Sequence, residues 1–269
     1  GKVLRQPVAK PPQAAELEKF FLFPPPVSSR DAIEAGEESQ KLFDRMLGFI
    51  GGTQAAGYPL GSATTSIAPY DFFADYFRGA KGMMMDLYRR RDKLMEAMEK
   101  IIPFLLRHAV AVAQTLPCKI IFIPIHWAPD RFMSQEQFKS VYWPSFRKFL
   151  LLLIDAGLTP MPLWESECDK RLEIIGQDLP KGKMIYWFER TDIVRAKEIL
   201  GDVVCLRGNI SPSLMTMGTP EEVDAACRHV IEKAGRDGGL ILDCAFGVPD
   251  ESPVENVRAL YRSVGKYGA

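Results

Sequence analysis

Several side chains that can move protons stand at the ends of apolar runs that indicate buried strands. His126 directly follows one such run, Glu165 and Glu189 end two others, and Asp192 lies shortly after Glu189. Because the carboxyl ends of parallel strands meet at one edge of a sheet, we expect these groups to lie close together. Grouped carboxylates take up or deliver a proton when burial raises one pKa, and a histidine shuttles protons near neutral pH. The pattern therefore predicts a catalytic site for acid–base chemistry.

Glu165 is the residue that we expect to matter most for this chemistry. Alternation along its strand places Glu165 on the same face as Met161 and Leu163, which a barrel strand directs inward. A carboxylate in that position is unfavourable unless a metal, an arginine or a substrate proton compensates its charge. We therefore predict that Glu165 acts in catalysis, together with its neighbours at the strand ends.

The same residues also admit structural interpretations, which the sequence leaves open. Asp192 precedes a helical segment and fits a helix N-cap. Glu189 stands beside Arg190 and fits an ion pair at the rim. His126 suits a structural role as well as a proton shuttle.

Two further residues are predicted to contact a ligand. Asn209 follows Gly208 at the end of another apolar run, where its amide would meet a polar group of a ligand or hydrogen-bond within the loop. Arg131 lies in the same loop as His126, and we expect it to bind substrate.

Glu165 and Cys244 are the candidate metal ligands, because zinc accepts carboxylate and thiolate ligands. The alternative is that Cys244 is a small buried hydrophobic residue and that Glu165 is hydrogen-bonded to a loop. The five cysteines are odd in number and lack the spacing of a disulfide framework. They favour free thiols in a reducing cytoplasm.

Strands and helices alternate along most of the chain. Strands are predicted at residues 62–67, 118–125, 159–165, 183–189, 203–208 and 238–244. Capping boxes that pair Ser134 with Gln137 and Thr219 with Glu222 begin two of the helices, and we expect similar capping at Ser252. This alternation predicts a parallel α/β sheet.

The N-terminal part of the chain is less regular. Residues 1 to about 30 are rich in Pro, Gln and Ala and indicate an arm, with a helix predicted from Ser29 to about Leu47. A long helical region is predicted for residues 71–116, broken near Arg91 and at Pro103. We expect an N-terminal arm over residues 1–50 and one barrel domain over residues 51–269.

The composition excludes some classes of function. Lys and Arg together number 34, the same as Asp and Glu, so no basic surface for nucleic acid is indicated. The longest apolar run, Phe149–Ile154, is far shorter than the ~18 residues of a membrane span. We therefore expect a soluble, cytoplasmic protein that binds neither nucleic acid nor membrane.

Several motifs resemble the uroporphyrinogen decarboxylase superfamily, over roughly residues 60–268. They are Tyr76-Phe77-Arg78-Gly79, FMSQEQFKSVYWPSFRK, RLEII, LPKGKMIYWFERTDIVRAKEILGD, CLRGNISPSLMTMGTPEEV and GGLILDCAFGVPDESPVENVRAL. The resemblance is greatest to the branch with corrinoid-linked methyltransferases. It implies a TIM-type (β/α)8 barrel whose first two strands precede the matched segment, so we expect either an open barrel or two strands within residues 1–60.

The departures from the family pattern bear on the activity. The Arg-Gln-Ala-Gly-Arg-Tyr element of true uroporphyrinogen decarboxylases is absent, and Phe246 takes the place of their late histidine. In the methyltransferases, zinc is held by a His-x-Cys pair and a later Cys. Here Trp164 and Glu165 lie in the region of the pair, and Phe246 replaces the later Cys. The resemblance thus implies that Trp164 and Phe246 contact substrate and that the zinc site is lost or rebuilt.

We predict a methyltransferase that moves a methyl group between a small methylated substrate and a separate corrinoid protein. The chain has no Asp-x-His-x-x-Gly motif for binding cobalamin, so the corrinoid would be carried by this partner. A rebuilt metal site would make zinc a second cofactor, and the sequence leaves both zinc and a homodimer open. A lyase or decarboxylase acting on another acidic substrate, and a non-catalytic binding subunit, are the alternatives.

Overall fold

The computed structural model describes residues 29–116 and 118–268, and the chain divides into two compact units, Gly1–Leu60 and Gly61–Ala269. Most of the predicted arm lies outside the described residues. In the first unit, helix α1 (Ser29–Ala55) continues past Leu47, where we expected it to end.

The second unit is built on a parallel sheet. Within the described residues, six strands pair in the order of the sequence, with β1 and β6 at the two edges. The strands are β1 (Thr64–Thr65), β2 (Ile120–Ile125), β3 (Thr159–Trp164), β4 (Ile185–Phe188), β5 (Cys205–Ile210) and β6 (Leu240–Cys244). All six predicted strands and their parallel pairing are confirmed. The open sheet is consistent with part of a (β/α)8 barrel.

Helices connect the strands. They are α2 (Pro69–Phe73), α3 (Gly79–Arg89), α4 (Arg91–Ala113), α5 (Gln135–Gln137), α6 (Trp143–Asp155), α7 (Leu172–Ile175), α8 (Ile193–Leu200), α9 (Pro212–Met217), α10 (Pro220–Val230) and α11 (Val254–Tyr267). Wider π-helical turns follow α2 at Ala74–Arg78, α5 at Phe138–Tyr142 and α10 at Ile231–Gly235. Among the described residues, no helix has both the length and the apolar character needed to cross a membrane.

Local sequence signals set several helix ends. The capping boxes at Ser134 and Thr219 are both present, as predicted. The cap expected at Ser252 is wrong, because α11 begins after Pro253 and no side chain caps it. The break expected at Pro103 is also wrong. Pro103 lies inside α4, where the buried side chains on either side of it hold the helix against its neighbours.

The two faces of the sheet are both apolar but contact different partners. Met161, Leu163, Ile185 and Trp187 form a buried cluster on one face, with Phe122 among the partly buried residues packed against it. Trp164 lies on the other face, where its ring contacts aromatic rings of the helical layer.

Candidate active site

A cavity of about 490 Å³ lies where β2, β3 and β4 end. Residues that follow three different strands meet there because the strands are parallel and in register. The cavity is lined by His126, Trp127, Pro129, Arg131, Phe132, Glu165, Ser166, Glu189 and Arg190. It combines protonatable groups, two arginines and an aromatic wall.

His126 lies between two carboxylates. Its Nδ1 is 2.7 Å from Oδ2 of Asp75 and its Nε2 is 3.5 Å from Oε1 of Glu165. Since a carboxylate only accepts hydrogen bonds, Nδ1 carries the proton and donates to Asp75. Nε2 is then left to exchange a proton with Glu165 or with a ligand in the cavity. The three side chains form an Asp75–His126–Glu165 relay.

Electrostatics favour proton storage in this relay. Burial by itself lowers the pKa of His126, but the hydrogen bond to Asp75 and the negative charges of Glu165, Asp71 and Asp75 raise it above its ordinary value. Burial raises the pKa of Glu165, the positive charge of His126 opposes this, and the charges of Glu189 and Asp75 add to it. Both groups therefore hold a proton at higher pH than they would in water.

Asp71 and Asp75, one helical turn apart, hold His126 and Trp127 in place. Asp71 of α2 accepts hydrogen bonds from the backbone amides of His126 and Trp127 at 2.7 and 3.0 Å. Asp75, in the following π-helical turn, accepts from the ring nitrogens of the same two residues, and its Oδ1 is 2.7 Å from Nε1 of Trp127. The backbone and the side chains of this dipeptide are thus bound from a single helical segment.

Ser166 connects three segments at the cavity wall. Its backbone has φ of 57°, a left-handed conformation that is unusual for a serine. Its amide donates to Glu189 Oε2 at 2.6 Å, and its hydroxyl accepts from Arg131 at 2.6 Å. These contacts connect the loop after β2 with the ends of β3 and β4, and they place Glu189 and Arg131 at the cavity wall.

A buried arginine supports the loop that carries Arg131. Arg171, fully shielded from solvent, donates to the carbonyls of Ala128 and Met133 at 3.1 and 2.6 Å. Its guanidinium also lies 3.3 Å from Asp130 and stacks over the ring of Phe138. These contacts support the conformation of the loop. Trp127 and Phe132 of the same loop form an aromatic wall of the cavity, with ring centroids 5.3 Å apart.

Of the residues expected from the sequence, the structure brings His126, Glu165, Glu189 and Arg131 together in the cavity. The inward direction expected for Glu165 agrees with the packing of Met161 and Leu163 in the inner cluster. The remaining expected residues lie elsewhere.

Asp192 and Asn209 make structural hydrogen bonds instead of lining the cavity. Asp192 is the N-cap of α8, where its carboxylate accepts from the amides of Val194 and Arg195. The Asn209 amide donates to the carbonyl of Thr191 at 2.7 Å. Their place at strand ends is correct, but local backbone donors and acceptors engage both side chains.

Trp164 and Phe246 also lie away from the cavity lining. Trp164 is fully buried against the helical layer. Side chains alternate along β3, so Trp164 lies on the opposite face of the sheet from Leu163 and Glu165. Phe246, after β6, is 60% exposed to solvent. Neither residue lines this cavity, and the contact of each with a substrate stays a prediction.

A zinc ion held by Glu165 and Cys244 does not fit the arrangement. Cys244 is buried on the helical side of the sheet, beside Cys227 of α10, and burial raises the pKa of its thiol to about 12. Glu165 faces the cavity. Among residues 29–116 and 118–268, no group of three or more His, Cys, Asp and Glu side chains is arranged to hold a metal.

Sequence reasoning missed the two aspartates of the relay and its support. Asp71 and Asp75 precede the Tyr76-Phe77-Arg78-Gly79 motif and are spaced so that they face the same way on a helix. That spacing is a usable signal. It does not reveal that their partners lie more than fifty residues later in the chain.

Comparisons with known proteins cover most of the second unit. The family model of uroporphyrinogen decarboxylase (URO-D) matches residues 56–267. A uroporphyrinogen decarboxylase of Coxiella burnetii is 31% identical over 77 residues, which are 29% of this chain and 21% of that protein. One from Chlorobium phaeovibrioides is 30% identical over 114 residues, 41% of this chain and 31% of that protein. The alignments thus span about a third or less of these relatives.

A solved structure is similar in fold. It is a methyltransferase from Methanosarcina mazei, with a TM-score of 0.64 and 20% sequence identity. The similarity covers 76% of this chain and 58% of the other.

Proposed function

The chain belongs to the uroporphyrinogen decarboxylase family, and from this premise we propose that it is a methyltransferase that moves a methyl group between a small methylated substrate and a separate corrinoid protein. The Asp75–His126–Glu165 relay is the observation that carries the proposal. The family consists of enzymes, and a methyltransferase has a similar fold.

The relay supplies the proton that demethylation of an ether oxygen or of a neutral amine nitrogen requires. When the methyl group leaves, the heteroatom gains the electron pair of the broken bond and needs a proton to become a neutral leaving group. Either Nε2 of His126 or the carboxyl of Glu165 delivers that proton, and Asp75 stabilises the charged imidazole. For transfer in the reverse direction, the same groups take the proton away.

The surrounding residues suit a small substrate. Trp127 and Phe132 offer an apolar wall, while Arg131 and Arg190 offer positive charge. Arg131 is already oriented by Ser166, so its side chain loses less conformational entropy when a substrate binds. A methylated heteroatom placed between this wall and Glu165 lies within reach of the proton donor.

The corrinoid, carried by the partner, would supply the nucleophile that accepts the methyl group. Phe132 and Arg190 are exposed at the mouth of the cavity and are the residues that would face it. In this proposal the relay provides the acid, and a zinc ion on this chain is not assigned a role.

The proposal is tested with free cob(I)alamin and a panel of O-methyl, N-methyl and S-methyl compounds. We expect methylcobalamin to form with at least one donor, or methylcobalamin to be consumed in the reverse direction, as read from the visible spectrum. His126→Gln is expected to lower the rate at least ~100-fold. No transfer in either direction, with free cobalamin and with a corrinoid protein encoded nearby, would refute the proposal.

Decarboxylation of another acidic substrate is the second candidate, favoured by the two arginines beside a protonatable pair. Arg131 and Arg190 would hold carboxylates, and His126 or Glu165 would protonate the carbon that loses CO₂. Release of CO₂ from a carboxylated substrate without any methyl transfer would favour this candidate.

A further inference from the structure

Asp71 is a buried carboxylate to which the proposed chemistry assigns no direct step. It is fully shielded from solvent, yet no cation forms an ion pair with it among the interactions of the described residues. Three donors surround it: the amides of His126 and Trp127 on Oδ1, and the Tyr142 hydroxyl on Oδ2 at 2.5 Å. A buried carboxylate with three hydrogen-bond donors and no direct ion pair is an unusual choice where an asparagine would also accept hydrogen bonds from the amides.

We propose that Asp71 is a positioning residue that, together with Tyr142, fixes both the place and the protonation state of His126. This inference deepens the proposed function, since it rests on His126 as the proton-holding group of the site. Asp71 does not touch the cavity and acts only through His126.

The placing role follows from the hydrogen bonds. Because Oδ1 of Asp71 accepts hydrogen bonds from the amides of both His126 and Trp127, it fixes the backbone conformation just after β2. That turn directs the ring of His126 toward Asp75 on one side and Glu165 on the other. Tyr142 holds the second oxygen, so the carboxylate cannot rotate away from the amides.

The charge of Asp71 is felt by His126 because little solvent screens it. The charged groups that face His126 are Asp71, Asp75 and Glu165, and all three favour its protonated form. Around the Asp71–Tyr142 pair, the other titratable groups are Tyr70 and the thiol of Cys168.

The charge of Asp71 itself depends on pH. Burial raises the pKa of Asp71 to about 7, although the hydrogen bonds from Tyr142 and the two amides, and the charge of His126, act in the opposite direction. Loss of the Tyr142 hydroxyl removes one of the groups that stabilise the charged form. Asp71 would then be neutral over a wider pH range, and His126 would hold its proton less tightly.

The test is an NMR titration of the histidine rings in the full chain, which has three histidines. His126→Gln identifies the resonance of His126. Asp71→Asn keeps the shape and the acceptor for the amides but removes the charge, and Tyr142→Phe removes only the hydroxyl. We expect both variants to lower the pKa of His126, by about one pH unit for Asp71→Asn. The matched control is Tyr186→Phe, which removes a buried hydroxyl that donates to Ile175 elsewhere in the fold, and we expect no change there.

An unchanged or increased His126 pKa in folded Asp71→Asn would overturn the proposal. If Asp71→Asn does not fold, an unchanged or increased His126 pKa in Tyr142→Phe would overturn the proposal instead. A decrease of the His126 pKa in Tyr186→Phe as large as that in Tyr142→Phe would also overturn the proposal. The titration needs no substrate, so a lowered pKa supports the control of His126 by Asp71 even if methyl transfer is not found. Where transfer is found, the pH profile of kcat should move to lower pH in both variants.

Discussion

Replacing Glu165 with glutamine tests the proton relay most directly. Glu165→Gln keeps the shape of the side chain but can neither take up nor deliver a proton. If Glu165 acts as the acid or base of the reaction, kcat should fall ~100- to 10,000-fold, which corresponds to about 3–5 kcal/mol of barrier. KM should change little, because the lost interaction belongs to the transition state.

The same substitution should leave the fold almost unaffected. The Glu165 side chain is 28% exposed and lies 3.5 Å from Nε2 of His126, a distance at which such an ion pair contributes about 0–1 kcal/mol. Burial raises the pKa of Glu165, so the folded state disfavours its charged form, and a neutral amide removes this unfavourable contribution. The two effects have opposite signs. We expect the melting temperature to stay within about 4 °C of the wild type.

The assay is methylation of the corrinoid by a donor identified with the wild-type protein, measured alongside thermal unfolding. Glu167→Gln is the matched control, since it removes a negative charge from an exposed residue in the same loop. Full activity in Glu165→Gln would show that the relay does not move the proton. A large fall in melting temperature that accounts for the lost activity would show that Glu165 supports the fold.

Three other substitutions test the assignments around the site. Asp192→Ala should lower the free energy of unfolding by about 1 kcal/mol through loss of the α8 cap, while kcat is retained. Loss of activity without loss of stability would show that Asp192 acts in the active site. Gly208→Ala should lower the free energy of unfolding by about 1–3 kcal/mol, because Gly208 has φ of 117° and an added Cβ would lie 2.6 Å from the Phe188 carbonyl oxygen. Thermal melting measures this loss, and a melting temperature equal to that of the wild type would contradict it. The fold raises the pKa of His126, so its ion pairs stabilise below its unfolded pKa of about 6.5 and this contribution is lost as pH rises through the folded value. The unfolding free energy of wild type relative to His126→Gln should therefore be larger near pH ~6 than near pH ~9, and a difference independent of pH would count against the relay.

Much of the fold follows from local patterns in the sequence. Apolar runs predicted five of the strands and Gly-rich turns predicted β1, and the capping boxes at Ser134 and Thr219 begin helices where expected. Parallel pairing then brings the residues at the ends of β2, β3 and β4 to one place, so His126, Glu165 and Glu189 could be grouped in advance. These features depend on periodicity and chain direction, which the sequence contains.

Other features depend on contacts between distant segments. Alternation along β3 separates Trp164 from Leu163 and Glu165, but both faces of the strand are buried, so the apolar run by itself does not show which face meets the cavity. The tertiary structure placed Trp164 against the helical layer. Asp192 was equally suited to a cap or to the cavity, and the tertiary structure placed it at the start of α8.

The tertiary structure also decided what surrounds His126. Asp71 and Asp75 reach it from a helical segment more than fifty residues earlier, through a loop geometry that no local pattern encodes. The sequence by itself therefore determined which strand ends carry acid–base groups. Only the packing of the π-helical turn after α2 against the end of β2 placed Asp75 on the other side of the His126 ring from Glu165. The pKa of His126 depends on burial and on these distances, and both arise only in the folded chain.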